Sequence, residues 1–211
     1  MMTKTHFNLA LVSMAATLAF ALPSLADDGG LYEKPIDPNS AFVRVIAPGS
    51  SIASVKNSSF SQLNDGVSPY VAVAPGDISV SSSFRQASVE AAAGKFYSAV
   101  ITQDGVVTVE DDMTKNPSKA TLTLYNLTEK AALDLFVPQA GSDAVSDVDS
   151  GASKSVALRA PLKVDLVVRD GEKEIAKIDA VEFKRLAGVT IVVTGTGDDV
   201  TAVAVPSTIA R

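Results

Sequence analysis

The sequence contains neither cysteine nor tryptophan, and its only histidine, His6, lies close to the start of the chain. Without cysteine no disulfide can form, so each domain of an exported chain must be held together by its apolar core. If the first residues are removed after export, the remainder offers neither a thiol nor an imidazole. A Cys-His pair and a Ser-His-Asp triad are therefore excluded from that remainder. Beyond the start, the sequence also has no Ser-x-x-Lys and no Gly-x-Ser-x-Gly motif.

A secretory signal peptide is predicted over residues 1–26. Lys4 precedes an apolar run, and small residues then lead to a cleavage site between Ala26 and Asp27. A membrane anchor would need roughly 20 apolar residues without such a site. No cysteine is present to carry a lipid. We therefore expect a mature protein that begins at Asp27, lies outside the cytoplasm and has no direct membrane insertion.

Positive charge is scarce. The chain has 18 Lys and Arg against 24 Asp and Glu, which gives a formal net charge of −6. Nucleic-acid and anionic-membrane binding need a basic stripe, and the sequence has none. An anionic polysaccharide would meet net repulsion. We expect no nucleic-acid partner and weak or no polysaccharide binding.

Short runs of β-branched and apolar residues, cut by Gly, Pro, Asn and Asp, fill the rest of the chain, and no long window has a strong helical period. The run at 77–84 alternates clearly, and hairpin turns are predicted at 103–105 and at Asp170-Gly171. The runs are AFVRVIA, SIASVKN, SPYVAVA, DISVSSSF, QASVEAAA, KFYSAVIT and GVVTVED, then ATLTLYNL, KAALDLFVP, KSVALRAP, LKVDLVVRDG, KEIAKIDAVEF, GVTIVVTG and DVTAVAVP.

The two halves of this pattern resemble each other. SAFVRVIAPGS matches KATLTLYNLTE, and KFYSAVITQDGVVTVE matches VTIVVTGTGDDVTAVA. The sequence thus predicts an all-β protein with two small antiparallel β-sandwich, Ig-like domains joined by a short linker. We place an N-terminal arm at 27–40, the domains at 41–112 and 119–211, and the polar linker at 113–118. One larger barrel or sandwich is the alternative.

Two segments could hold a ligand. DAVSDVDSG at 143–151 has Asp147 and Asp149 before a glycine, as in a calcium loop, but it lacks the third acidic ligand and has Leu158 in the closing position. We interpret it as a flexible acidic loop between strands. TGTGDD at 194–199 contains Gly-x-Gly, yet it lies between two β runs, where a hairpin turn is favoured over a phosphate loop. No metal and no cofactor are predicted.

The acidic run at 110–112 ends a strand-like segment and is interpreted as solvated. Paired carboxylates for glycoside chemistry would need a cleft lined with aromatic side chains. With 8 Phe, 4 Tyr and no Trp in the whole chain, a carbohydrate cleft has little support. No catalytic residue is predicted, and such a chain is expected to act through its surfaces.

The stretch LYEKPIDPNSAFVRV at 31–45 combines a Leu-Tyr pair, two prolines and the first strand. It resembles the start of the mature AlgF family proteins, which are periplasmic accessory proteins of alginate O-acetylation. KATLTLYNLTEKAALDL at 119–135 resembles that family's second-domain opening. LKVDLVVRDGEKEIAKIDAVEFKRLAGVTIVVTGTG at 162–197 is similar to its hairpin and late Val-rich strand. These landmarks are colinear over nearly the whole mature chain.

The resemblance implies a non-catalytic periplasmic adaptor of a Gram-negative bacterium, required for O-acetylation of an exopolysaccharide, with alginate as the first choice. The implied partners are periplasmic polysaccharide O-acetyltransferases, with the membrane acetyl-transfer protein as a further candidate. A carbohydrate-binding module that presents the polymer to the acetyltransferases is the alternative. An enzyme that uses an unrecognised serine is a third hypothesis.

The candidate partner contacts are Leu31, Tyr32, Phe42 and Arg44. Prolines fix their own φ and disfavour helix in the residue before them, so the arm is expected to stay extended. Leu31 and Tyr32 either dock to a partner or fold back over the edge of the first domain, because chain ends become ordered only when they are tied down.

Overall fold

A computed structural model describes residues 35–210, and within this range the chain forms sixteen strands and no helix. Consequently, this part of the chain contains no helix that could cross a membrane. The strands of the first half are β1 (Ala41–Ile46), β2 (Ala53–Val55), β3 (Ser58–Phe60), β4 (Val71–Val73), β5 (Gly76–Ser82), β6 (Gln86–Ala91), β7 (Phe96–Ile101) and β8 (Val106–Asp111). Those of the second half are β9 (Lys119–Thr128), β10 (Ala132–Val137), β11 (Ser142–Asp149), β12 (Ser153–Arg159), β13 (Leu162–Asp170), β14 (Lys173–Phe183), β15 (Gly188–Thr196) and β16 (Asp199–Ser207).

The two halves have the same topology. The first contains sheets in the order β4-β1-β7-β8 and β3-β2-β5-β6, and the second contains β12-β9-β15-β16 and β11-β10-β13-β14. Adding eight to each strand number of the first half gives the order in the second. This confirms the predicted internal repeat and the all-β, two-sandwich fold.

One strand pair in each sandwich is parallel, whereas the other ladders are antiparallel. β1 runs parallel to β7 with Val43 opposite Tyr97, and β9 runs parallel to β15 with Leu122 opposite Val189. These four strands are buried along most of their length. Strands covered on both faces are often continuously apolar, as β1, β7 and β15 largely are, whereas β9 alternates Thr with Leu and buries Thr121 and Thr123 as well.

Three apolar clusters account for this burial. Each sandwich has its own core between its two sheets, and Val43 and Val45 of β1 belong to the first. Because side chains alternate along a strand, Arg44 and Ile46 lie on the other face of β1. That face contributes to a third cluster, which lies between the sandwiches and consists of Ile46, Val67, Val100, Tyr125, Val192 and Val205. The two sandwiches therefore pack back to back and form one compact unit from Pro35 onward.

The predicted hairpins are present. Ile101 pairs with Val106 across the turn at 102–105, and Asp170 pairs with Lys173 across a turn in which Gly171 has a φ of 62°. A positive φ at this position favours glycine. The segment 194–199 also forms a hairpin turn, between β15 and β16.

The prediction of a flexible loop at 143–151 is wrong for most of this segment, because Ser142–Asp149 forms β11. Val145 and Val148 face inward, but they are three residues apart. The register shifts between Leu133 and Leu135 of the partner strand, and Asp147 has a φ of 55°. This bulge breaks the two-residue period by which a strand is recognised in a sequence.

Two segments tie the halves together. In the connection between β8 and β9, Thr114 N donates a hydrogen bond to Thr121 Oγ1 at 2.8 Å. At the C-terminus, Tyr70 N donates to Thr208 O at 2.8 Å, and Ala210 N donates to Tyr70 O at 2.7 Å. The C-terminal residues thus return to the first half of the chain. The domain limits 41–112 and 119–211 stay predictions.

Candidate functional site

The predicted contact residues occupy different environments. Leu31 and Tyr32 lie outside the described residues, as do the predicted cleavage residues Ala26 and Asp27. Phe42 is half-buried, and its ring stacks on Phe96 in a nearly parallel arrangement with 4.3 Å between ring centroids. Of the four predicted contacts, Phe42 is the one that the structure places partly at the surface.

Arg44 is the centre of a polar network between the two sandwiches, and only 1% of it is exposed. Its Nε donates to Ser98 Oγ at 2.7 Å, and its Nη1 donates to Thr190 Oγ1 at 2.9 Å and to Ser207 Oγ at 3.3 Å. The guanidinium carbon lies 4.4 Å from the centre of the Tyr70 ring. Arg44 therefore links the two halves of its own chain, and its side chain is not at the surface where another protein would meet it.

Asp111 supplies the negative charge opposite Arg44, and it is 5% exposed. Its Oδ2 lies 3.7 Å from Arg44 Nη2. The same oxygen accepts hydrogen bonds from the hydroxyls of Tyr70 at 2.7 Å and Ser98 at 2.6 Å, while the Tyr125 hydroxyl donates to Oδ1. The interpretation of residues 110–112 as solvated is therefore wrong for Asp111, because β8 turns this side chain toward the sandwich interface.

The electrostatics of the network keep its donors protonated. Burial raises the pKa of the Tyr70 and Tyr125 hydroxyls, and the nearby Asp111 charge raises it further. Burial alone would lower the pKa of Arg44, but Tyr70 and Asp111 outweigh that effect and the pKa is raised. Near neutral pH, Arg44 is thus a cation and both tyrosines are hydrogen-bond donors.

This network includes a serine beside a carboxylate, yet it lacks the arrangement that activates a nucleophile. Ser98 is 0% exposed, so no substrate can reach its hydroxyl. That hydroxyl is hydrogen-bonded to both Arg44 and Asp111. An activated serine needs an adjacent base, and residues 35–210 contain no histidine. What the network can do is fix the orientation of one sandwich against the other.

Two open grooves lie beside the connection between β8 and β9. One has a volume of about 620 Å³, the other of about 380 Å³, and they share Phe96, Met113 and Lys115. We call the second the junction groove, and its main lining residues are Tyr70, Phe96, Met113, Lys115, Leu186 and Ile209. The described residues include no group of three or more His, Cys, Asp or Glu side chains that could hold a metal.

The junction groove draws on both halves of the chain. The first half contributes Phe96 at the start of β7, and the loop between β14 and β15 contributes Leu186, which is 62% exposed. Gly188 forms a tight part of the wall. A Cβ there would lie 2.9 Å from Ser207 Cβ and 3.0 Å from Met113 Cε, so only glycine lets these side chains approach.

The sequence analysis predicted neither the pairing of Arg44 with Asp111 nor the junction groove. A signal for the first was present, because Arg44 interrupts an otherwise apolar run, AFVRVI, that is too continuous for a strand with one solvated face. A charge in such a strand must be paired or hydrogen-bonded. No comparable signal marks the junction groove, since its residues are far apart in the sequence.

The family model described as alginate O-acetyl transferase AlgF matches residues 9–190 of this chain. Alginate biosynthesis protein AlgF of Pseudomonas syringae pv. tomato is 28% identical over 198 residues, which cover 90% of this chain and 87% of the relative. The protein of the same name from Pseudomonas aeruginosa is 29% identical over 201 residues, with coverage of 93% and 92%.

A solved structure, the C-terminal domain of AlgF from P. aeruginosa, is 29% identical and covers 42% of this chain and 98% of its own, with a TM-score of 0.38. The matched range of the family model includes strands of both sandwiches, and the two relatives align over most of their length. The resemblance seen in the sequence is thereby confirmed, and this chain belongs to the AlgF family of alginate biosynthesis proteins.

Proposed function

We propose that this protein is a non-catalytic periplasmic adaptor in the O-acetylation of an exopolysaccharide, alginate in the first instance, and that it binds the O-acetyltransferase proteins that modify the polymer. The link to acetylation is supported by the family description, which names an alginate O-acetyl transferase, and by relatives named alginate biosynthesis proteins. The predicted signal peptide at 1–26 supports the periplasmic location.

The burial of Ser98 is the observation that carries the non-catalytic part of the proposal. Acyl transfer through a covalent intermediate needs a nucleophile within reach of the substrate and a base beside it. Ser98, which contacts the buried Asp111 carboxylate, is closed to substrate. Histidine and cysteine do not occur among residues 35–210. Such a chain can assist acetylation by holding other proteins in position.

Several surfaces suit protein binding. The sheets β4-β1-β7-β8 and β12-β9-β15-β16 have β4, β8, β12 and β16 as their edge strands. An edge strand can accept an added strand from a partner. Half-buried Phe42, and the arm residues Leu31 and Tyr32, are the further contacts that we propose. Tyr32→Ala is expected to weaken partner binding without lowering the melting temperature. Unchanged binding would show that Tyr32 in the N-terminal arm is not a partner contact.

The test of the proposed function uses the mature protein in two assays. Incubated alone with p-nitrophenyl acetate, it should show neither turnover nor a covalent acetyl adduct. Mixed with purified O-acetyltransferases of the same alginate pathway, it should bind saturably. Turnover that survives repurification of the protein would contradict the adaptor role, as would normal polymer acetylation in a strain that lacks the gene.

Titration with alginate oligosaccharides decides between the adaptor and the carbohydrate-binding module. The adaptor hypothesis predicts no saturable signal, because a uronate polymer would be repelled by a chain of net charge −6. Saturable binding of the oligosaccharide, combined with no binding to the acetyltransferases, would favour the module instead.

A further inference from the structure

We propose that the junction groove is the docking surface for an O-acetyltransferase protein, and that it receives a partner segment in which an apolar side chain is flanked by acidic residues. This inference rests on the proposed adaptor function, and it adds the site and the chemistry of the segment that binds there.

The apolar part of the argument begins with Leu186. It is 62% exposed, the largest exposure among the large hydrophobic side chains that lie at the surface of residues 35–210. A single exposed leucine is ordinary, but Leu186 borders a groove of about 380 Å³ together with Phe96, Met113 and Ile209. Contiguous apolar surface next to a concavity is typical of a protein-binding site.

The charge around Leu186 is opposite in sign to that of the whole protein. Exposed Lys184 and Arg185 directly precede it, and exposed Lys115 lines the same groove. Lys119 is close by, because its carbonyl accepts a hydrogen bond of 2.8 Å from Leu186 N. Among the salt bridges found within residues 35–210, none involves these four cations.

Carboxylates on the adjoining strand ends do not neutralise this cluster. Glu182 pairs with Lys163 at 3.2 Å, and Glu110 pairs with Lys95. Asp112 is exposed and is in none of the salt bridges found within residues 35–210, so this single carboxylate can offset at most one of the four cations. The cations around Leu186 thus form a positive patch on a chain of net charge −6, and complementary charge would steer an acidic segment toward it.

A protein segment fits the groove better than a uronate polymer does. The polymer would supply negative charge but no hydrocarbon side chain to cover Leu186 and Met113. A buried apolar anchor in a pocket, surrounded by polar contacts, is the arrangement in which a few side chains supply most of the binding energy.

The test measures binding of the mature chain to purified O-acetyltransferases of the same alginate pathway by isothermal titration calorimetry. Leu186→Ser and Lys115→Glu are each expected to weaken binding by about tenfold or more. Wild-type binding is also expected to weaken as salt is added. All these positions are at least partly open to solvent, so thermal unfolding should be unchanged.

Matched controls come from the outer part of the first sandwich. Ile52 is 47% exposed, and Ile52→Ser should leave binding at its wild-type strength. Lys56 is exposed and, like Lys115, is in none of the salt bridges found in the described part of the chain. Lys56→Glu changes the net charge without touching the groove and should bind within about twofold of wild type.

Three results would overturn the proposal in different ways. Tight wild-type binding that neither groove variant weakens would refute the docking surface and leave the adaptor function intact. No wild-type binding at all would refute the adaptor function itself. Sensitivity to Lys115→Glu but not to Leu186→Ser, together with saturable binding of alginate oligosaccharides, would assign the groove to the polymer.

Discussion

The substitution Asp111→Asn tests whether the buried network holds the two sandwiches together. It preserves the shape of the side chain but removes the negative charge opposite Arg44. Three hydroxyls, those of Tyr70, Ser98 and Tyr125, then donate toward an amide group in place of a carboxylate. Arg44, 1% exposed, is left as a buried cation without its counter-ion.

The expected loss of stability is large. Removing one partner of a buried ion pair costs about 3–5 kcal/mol, because the remaining charge is uncompensated. For a chain of this length, each kcal/mol corresponds to roughly 2–4 °C, so the melting temperature should fall by about 6–20 °C. Adding Arg44→Met to the same chain removes the stranded cation. The double variant should therefore be less destabilised than the sum of the single variants, by about 1 kcal/mol or more.

Urea denaturation at pH 7, with linear extrapolation to water, measures these differences. Glu182→Gln serves as the control, since it breaks the pair with Lys163, in which both side chains are 58% exposed. Exposed pairs add little stability, and this variant should unfold close to wild type. If Asp111→Asn and Glu182→Gln shift the midpoint equally little, the network does not hold the interface together.

Alkaline pH should weaken the fold. Because the pKa values of Tyr70 and Tyr125 are raised in the folded protein, their contribution is present below the ordinary tyrosine pKa of about 10 and is lost as pH rises above it. Unfolding free energy measured from pH 8 to 12 should therefore decline above about pH 10, and a flat profile would contradict the buried placement of these hydroxyls. Gly188→Ala should cost about 1–3 kcal/mol because its Cβ would lie 2.9 Å from that of Ser207. Gly105→Ala should cost much less, because a Cβ at position 105 would have nothing within 4 Å. Equal losses of stability for the two variants in thermal unfolding would argue against close packing around Gly188.

The strands could be predicted largely because turn residues separate them. Each predicted run of β-branched and apolar residues corresponds to a strand, and the repeat in the sequence corresponds to the repeat in topology. The strands that the sequence did not predict are β3 and β11. They occupy equivalent edges of the sheets β3-β2-β5-β6 and β11-β10-β13-β14. β3 has three residues, which are too few to show the two-residue alternation of a strand, and β11 contains a bulge that interrupts this alternation.

The packing of one sandwich on the other could have been inferred in part. A strand with one solvated face should carry charged residues there, yet KFYSAVI has a single charged residue, ATLTLYNL has none, and most of their residues are buried. What the sequence could not supply is the partner of Arg44. Asp111 is 67 positions away, and only the fold of β8 beside β7 brings the two side chains together.

We propose that this protein assists acetylation by binding the proteins that perform it. Titration of purified O-acetyltransferase from the same alginate pathway into the mature chain measures this directly. We expect saturable binding with defined stoichiometry for the wild type, and binding weakened about tenfold or more by Leu186→Ser. No heat of binding to any acetyltransferase of the pathway would contradict the adaptor role.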